Sequence, residues 1–402
     1  MKVLIINSVC GIGSTGRICA DLAQVLAQQG HKVCIAYGRG VASAHVQSDT
    51  YKIESKFANY KNALFARLFD NEGFNAVHST KKLINFIEKY NPDIIHLHNL
   101  HGYYLNVAIL FEFLKTCHKP VVWTLHDMWP FSGHSAVCDF SSCEKWRTGC
   151  SKCPCLREYP RAVCDFSKRN FYKKKNTFCG LNNMTIVTPS NWLALLVKES
   201  FLNSYPVQVI NNGIDLTKFY PTENFFRETH SLGNKTIILG VASPWNDRKG
   251  YKDFLQLAGL VNPMKSTIVM VGLNPKQIGS LPKNVIGIGR TDNVEQLADI
   301  YSSADVFLNL TYADNFPTTN LESIACGTPV LTYKTGGSAE SIDLKCGWVV
   351  EKGDVESTRK MVDGFVKQDT DVLHCVEKSK EYDKWDKYSE YINLYRRLLA
   401  NN

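Results

Sequence analysis

Residues 305–330, DVFLNLTYADNFPTTNLESIACGTPV, read as one complete unit of a parallel sheet. Residues 305–310 form an apolar run with little alternation, as suits a strand covered on both faces. A polar loop containing Pro317 follows, then a helix beginning near Thr319 and running through residues 321–326. Gly327-Thr328-Pro329-Val330 stops that helix and opens the next strand. Strand, loop, helix and returning strand are the parts of a crossover connection, and crossovers join parallel strands.

The same alternation extends outward from this segment. In the second half, residues 236–242, 266–271 and 284–288 read as strands, and residues 250–260 and 294–302 as helices. The first half carries strands at 2–8, 31–37, 93–98 and 120–126, with helices at 16–29 and at 80–90, the latter stopped by Asn91-Pro92. There is no short repeat. The pattern predicts an α/β chain of two doubly wound, Rossmann-like domains at residues 1–207 and 208–380, with ligands expected in a cleft between the C-terminal edges of their sheets. In residues 381–402, Trp385, Tyr388, Ile392, Tyr395 and Leu399 mark one apolar face of a long terminal helix.

Composition agrees with this architecture. The chain has 402 residues, 44% hydrophobic and 21% charged, which are globular values that exclude wholesale disorder and collagen-like repetition. No apolar run approaches the roughly 20 residues needed to span a bilayer. The opening Met1-Lys2-Val3-Leu4-Ile5-Ile6-Asn7 turns polar too early for a signal peptide, so a cytoplasmic protein is expected. Charge is uneven. Residues 1–207 hold 24 Lys and Arg against 14 Asp and Glu, a net +10, whereas residues 208–402 hold 22 against 24. The basic half suits a phosphate-rich ligand, nucleic acid or an anionic membrane surface, and equally a solvated exterior. Of the 14 cysteines, Cys10, Cys19, Cys34 and Cys326 are scattered in apolar settings and read as small buried hydrophobes.

Several segments carry candidate chemistry. The turn Cys10-Gly11-Ile12-Gly13-Ser14-Thr15-Gly16 has the G-x-G-x-x-G spacing that lets backbone amides approach phosphate, but no acidic residue ends the following strand, which argues against an NAD enzyme. Asp314 and Glu322 stand eight positions apart across the loop and helix of the opening segment, where the amides of Asn315, Phe316 and Thr318 suit an anion. Arg248 and Lys249 precede a helix start and suit developing negative charge. His126-Asp127 ends the strand at 120–126. His96 and His98 alternate onto one face and His101 follows; with no acidic ligand obvious, acceptor binding or loop structure is preferred to metal. Cys138, Cys143, Cys150 and Cys153 lie in a Cys-rich insertion, residues 138–164, and read either as ligands of a structural zinc or as buried free thiols. Residues 168–175, KRNFYKKK, and 56–69, KFANYKNALFARLF, read as basic helices with aromatics, lying on anionic lipid or simply solvated.

The segment Thr311–Val330 resembles the donor-binding signature of the retaining GT-B glycosyltransferases of family-four type. Val187-Thr188-Pro189-Ser190, Val209-Ile210-Asn211-Asn212-Gly213-Ile214-Asp215 and Gly336-Gly337-Ser338-Ala339-Glu340 resemble further landmarks of that family, in the right order. The Cys-rich insertion resembles one found in a subgroup that makes bacterial exopolysaccharide, colanic acid among them. The resemblance implies two Rossmann-like domains, the second holding a nucleotide sugar and the first an acceptor, with the terminal helix packing back on the first. It implies that Glu322 binds the ribose, and that Asp314, Asn315 and Phe316 contact the transferred sugar and diphosphate. Asp314 stands where the family usually has Glu. Lys249 matches the lysine that neutralises the leaving diphosphate, and Arg248 takes the role of an arginine absent near Ser243. Gly13 and Gly16 would help hold the diphosphate, and His126 and Asp127 would serve transfer. No cofactor is expected for catalysis. The implied reaction moves a sugar, with retention of configuration, to a saccharide, lipid-linked at the inner membrane face. Two rival readings are a nucleotide-sugar epimerase or hydrolase on the same fold, and a zinc-containing nucleic-acid binder, against which the acidic loop 314–322 speaks.

Overall fold

A computed structural model of the chain describes residues 1–401. It contains two compact units: Met1–Asn212 together with the chain from Lys384 onward, and Gly213–Asp383. The first is built on a parallel sheet of seven strands, β1 (Lys2–Asn7), β2 (Lys32–Tyr37), β3 (Asp49–Lys52), β4 (Ile94–Leu97), β5 (Val121–Thr124), β6 (Met184–Thr188) and β7 (Val207–Val209). Their order is β3-β2-β1-β4-β5-β6-β7. The edge strand β7 pairs with β6, Ile186 opposite Val207, and carries this unit past residue 207.

The uninterrupted apolar sequence of β1 follows from burial on both faces. Leu4 and Ile6 point into one core with Leu97, Val121 and Trp123. Val3 and Ile5 point into another with Leu22, Leu26, Ile392 and Tyr395. Successive residues thus serve opposite layers, each fully buried side chain contributing about 1.5–3 kcal/mol. The second layer contains the helix Gly13–Gln28 and the helix Lys384–Ala400, so the C-terminal helix is part of the first unit. The Tyr391 and Tyr395 hydroxyls reach the sheet itself, at Thr124 Oγ1 (3.0 Å) and His96 Nδ1 (2.7 Å).

The second unit has six parallel strands, β8 (Thr236–Val241), β9 (Ser266–Val271), β10 (Val285–Ile288), β11 (Val306–Asn309), β12 (Val330–Tyr333) and β13 (Gly347–Val350), in the order β10-β9-β8-β11-β12-β13. A bridge between Ile214 and Asp383 joins its two ends. Both sheets are doubly wound and Rossmann-like: order reverses between β1 and β4 in one, and between β8 and β11 in the other. The crossovers that leave neighbouring strands in opposite directions open a crevice at that point, beyond the strands' C-terminal ends.

Among the described residues, no helix is long and apolar enough to cross a membrane.

Candidate active site

At the reversal point of the second sheet, β8 and β11 lead into the two loops that carry most of the predicted donor residues. After β8 the chain turns through Asp247–Lys249, where the Asn246 side chain caps the turn by accepting from the Lys249 amide (3.1 Å). Gly250 then adopts φ +73° beside the Leu310 carbonyl, 2.3 Å from where a Cβ would stand. This packing draws the loop onto the end of β11, where the Tyr312 amide donates to the Arg248 carbonyl (2.8 Å).

Two side-chain contacts result. Lys249 Nζ forms an ion pair with Asp314 Oδ2 at 2.5 Å, and the Arg248 guanidinium donates to the Ala313 carbonyl at 2.9 Å. Burial would raise the Asp314 carboxyl, but Lys249, Arg248 and the Asn315 amide outweigh it and hold the group below the usual carboxylate range. Asp314 is therefore an anion at neutral pH, with two cations around it. A third loop supports it from behind: Gly337 donates its N–H to the Asp314 carbonyl (3.3 Å).

Glu322 lies in the helix Thr318–Ala325 and is only 3% exposed. Its Oε2 accepts from the Tyr301 hydroxyl at 3.0 Å. Asn320, two residues earlier, accepts from Asn309 Nδ2 (2.8 Å) and donates to the Ser338 carbonyl (2.8 Å), tying strand, helix and the 336–341 segment together. The Phe316 ring belongs to the core beside Tyr382, so only its backbone is available to a ligand. Tyr301 and Asn320 escaped the sequence reading. The only signal was polar side chains on otherwise apolar helical faces.

In the first unit, β4 and β5 run side by side, and the histidines meet at and just beyond their C-terminal ends. His98 Nδ1 is 2.9 Å from His126 Nε2, and His101 Nε2 is 2.8 Å from Asp127 Oδ2. His101 Nδ1 meets the Tyr159 hydroxyl at 3.0 Å, and Asp127 Oδ1 accepts from the Trp129 amide at 2.9 Å. His96 faces the same side as His98, with ring centroids 4.2 Å apart, and bonds Thr124 Oγ1 at 2.8 Å. Burial lowers the His96 imidazole to about 3 and His126 to about 4; at His126 the nearby Asp127 opposes the fall and His101 adds to it. Burial also drives His98 well down. Asp127, which burial would raise, is held below its ordinary value chiefly by His101. The result is a row of neutral imidazoles, His96, His98 and His126, beside the His101–Asp127 pair.

The glycine turn follows β1. Gly13 opens the helix at φ +64° with room for a side chain, while a Cβ on Gly16 would lie 3.0 Å from Val9 Cγ2. No side chain caps this helix.

One expectation is corrected in detail. Of the five cations in 168–175, Lys174 is buried, donating to the Trp129 (2.7 Å) and Ser132 (3.1 Å) carbonyls with its ammonium 3.8 Å over the Trp129 ring. It braces the loop beyond Asp127 instead of facing solvent or lipid. Cys138, Cys143, Cys150 and Cys153 are free thiols, and among the described residues no three His, Cys, Asp or Glu are placed to hold a metal. Cys138 Sγ donates to the Ser135 carbonyl, and Cys150 Sγ accepts from the Gly133 amide (3.2 Å). Burial raises the thiols of Cys138, Cys150 and Cys153, and neighbouring cysteines add to the rise at each.

Comparison with known proteins agrees with this geometry. The family profile described as Glycosyltransferase Family 4 matches residues 15–218, and Glycosyl transferases group 1 matches residues 222–389. A putative colanic acid biosynthesis glycosyl transferase, WcaC of Escherichia coli K12, is 24% identical over 99% of this chain and 100% of its own length. An N,N'-diacetylbacillosaminyl-diphospho-undecaprenol alpha-1,3-N-acetylgalactosaminyltransferase of Campylobacter jejuni is 23% identical over 47% of this chain and 54% of its own. The crystal structure of Anabaena HepE in complex with UDP shares the fold, with TM-score 0.68 and 14% identity over 99% of this chain and 100% of that one. The first profile covers half the chain, and the loops it and its partner span are those that carry the paired charges and histidines: the chain belongs to the family-four glycosyltransferases, with the GT-B fold.

Proposed function

We propose that this glycosyltransferase moves a sugar from a nucleotide-sugar donor to a lipid-linked saccharide, with retention of configuration, in the synthesis of a cell-surface polysaccharide. The observation that carries this reading is the Lys249–Asp314 ion pair at the reversal point of the second sheet, backed by Arg248 and Gly337. In transfer, the bond from the anomeric carbon to the diphosphate breaks with its electron pair going to phosphate. The acceptor oxygen bonds to that carbon and passes its proton to the departing diphosphate. Charge therefore grows on the diphosphate, where Lys249 and Arg248 stabilise it, with the amides around Gly13 and Gly16 assisting. Asp314 and the amides of Asn315 and Phe316 hold the sugar, and Glu322 the ribose. His126 and Asp127 of the first unit position the acceptor hydroxyl. The acceptor class is supported by the Campylobacter relative's name, and the polysaccharide by that of WcaC.

The test is a thermal-shift panel of UDP-, GDP- and ADP-sugars on the wild type and Glu322→Gln, followed by transfer assays on lipid-linked saccharides. One donor class should stabilise the wild type and lose most of that effect in the variant. Equal stabilisation of both proteins would sink the assignment of Glu322. Release of free sugar with no transferred product on any acceptor would sink the transfer reading.

A further inference from the structure

Two histidine rings at the C-terminal edge of the first sheet share one proton, and their surroundings decide which ring owns it. His98 Nδ1 and His126 Nε2 are 2.9 Å apart, and the rings lie nearly parallel, at 16° with centroids 5.2 Å apart. Burial lowers both imidazoles, so both are neutral at pH 7. A neutral imidazole has one N–H and one bare nitrogen. Two arrangements satisfy that rule. Either His98 donates from Nδ1 and its own Nε2 is bare, or His126 donates from Nε2 and His98 carries its proton on Nε2.

The far side of His98 separates the two. Its Nε2 is buried and has no hydrogen-bond partner among the described residues. The polar groups around it are committed. His96, whose ring centroid is 4.2 Å away, spends Nε2 on Thr124 Oγ1 (2.8 Å) and Nδ1 on the Tyr395 hydroxyl (2.7 Å). The Asp127 carboxylate is engaged by His101 Nε2 (2.8 Å) and the Trp129 amide (2.9 Å). Nor can His98 shift to find another partner. Its amide donates to the Ile6 carbonyl (2.9 Å), its carbonyl accepts from Trp123 Nε1 (3.0 Å), and the rings of His96 and His126 flank its own. Buried N–H groups without an acceptor are rare in folded proteins, and under-used acceptors less so. The first arrangement leaves only a bare nitrogen at Nε2; the second would bury an unpaired N–H there.

We infer that His98 donates from Nδ1 to His126 Nε2 and thereby fixes His126 as the tautomer protonated on Nδ1. His98 is thus a positioning residue that makes His126 a hydrogen-bond donor and not a base. The lone pair of His126 Nε2 is occupied and its Nδ1 has none to offer, so neither nitrogen can take a proton from the acceptor. What the ring can do is donate from Nδ1 to a sugar oxygen, which holds a hydroxyl with its own proton turned away from the ring. This rests on the proposed placement of His126 beside the substrate and adds the direction of the hydrogen bond it makes there.

Long-range proton–nitrogen NMR of the full-length protein, labelled with nitrogen-15 histidine and held at pH 7.5, tests it; the His126 signals are those lost in His126→Gln. The wild type should show His126 protonated on Nδ1 with Nε2 bare. His98→Phe removes the donor, so His126 should move toward the form protonated on Nε2, and kcat should fall about fivefold to tenfold, the effect of losing one neutral hydrogen bond. His98→Asn, whose amide nitrogen can stand where Nδ1 stood, should restore the tautomer and most of the lost rate. A merely structural role for His98 would leave the tautomer unmoved. Wild-type His126 protonated on Nε2 overturns the inference, as does a His98→Phe variant that keeps the Nδ1–H pattern. The spectrum is read without donor or acceptor, so it answers separately from the transfer assay. A wild type that holds the inferred tautomer and yet transfers no sugar would uphold the hydrogen-bond direction and refute the functional reading.

Discussion

Gly336 presses so closely on Asp314 that a β-carbon on the glycine would lie 1.8 Å from the Asp314 carbonyl oxygen. Gly336 also sits at φ +53°, a conformation that disfavours any side chain. The loop after β12 is therefore part of the device that places the Asp314 carboxylate. Gly336→Ala should shift Asp314, lower stability by about 2–4 kcal/mol and weaken donor binding. Urea unfolding and nucleotide-sugar titration together check this; unchanged values in both would show that the loop does not position Asp314.

Lys249 should matter more to rate than to folding, since it is partly exposed and its ion pair lies at the surface of the second unit. Lys249→Ala should reduce transfer by about a hundredfold to a thousandfold, the range seen when one group stabilising developing charge is lost. The melting temperature should move little. A variant with wild-type kcat would remove Lys249 from the chemistry.

The Tyr301 hydroxyl donates to Glu322 from a fully buried ring. Tyr301→Phe keeps the packing and removes that donor, so it should cost about 1 kcal/mol of stability. Donor affinity should fall several-fold while kcat with saturating donor holds. A loss in kcat alone would mean that Tyr301 acts on something other than Glu322.

The neutral histidines set a direction for acid stability. In the folded chain His96 and His126 sit near 3 and 4, and His98 is lowered too, whereas the unfolded chain protonates its histidines below about 6.5. Between those values the unfolded state binds more protons, so their contribution is complete above about 6.5 and is lost as pH falls toward 4. Going from pH 7.5 to 5 should cost of order 4 kcal/mol, measured as the shift in urea midpoint. His98→Asn should flatten that slope.

Lys174→Met should leave the carbonyls of Trp129 and Ser132 buried without their donor, at a cost of about 2–4 kcal/mol. Because that loop follows Asp127, acceptor KM should rise as well. Lys175→Met, one residue on and exposed, is the control and should melt like the wild type.

The sheets were legible because both faces of their central strands are covered, which writes burial into sequence as continuous apolar runs such as residues 236–241 and 266–271. The edge strands of the first sheet were not: Asp49–Lys52 is polar and Val207–Val209 too short to announce itself. The helix expected near Thr319 begins at Thr318. At the site, Asp314 and Lys249 could be named from motifs, but their pairing depends on β8 lying beside β11, which no local pattern encodes. The partnership of His98 with His126 was hidden in the same way, because it depends on β4 lying beside β5. Lys174 was misread because a run of cations shows no period; only the packed helix reveals which one turns inward.

The first unit takes its last layer from the far end of the polypeptide, where the 391 and 395 phenols grip β5 and β4. During synthesis, residues 1–212 leave the ribosome well before that layer exists. One side of their sheet must wait, apolar and uncovered, while the whole second unit is made and is free to fold first. Assembly of this unit is thus gated by synthesis of residues 384–400, and a ribosome that stops short of them should leave a nascent chain that chaperones hold and proteases clear.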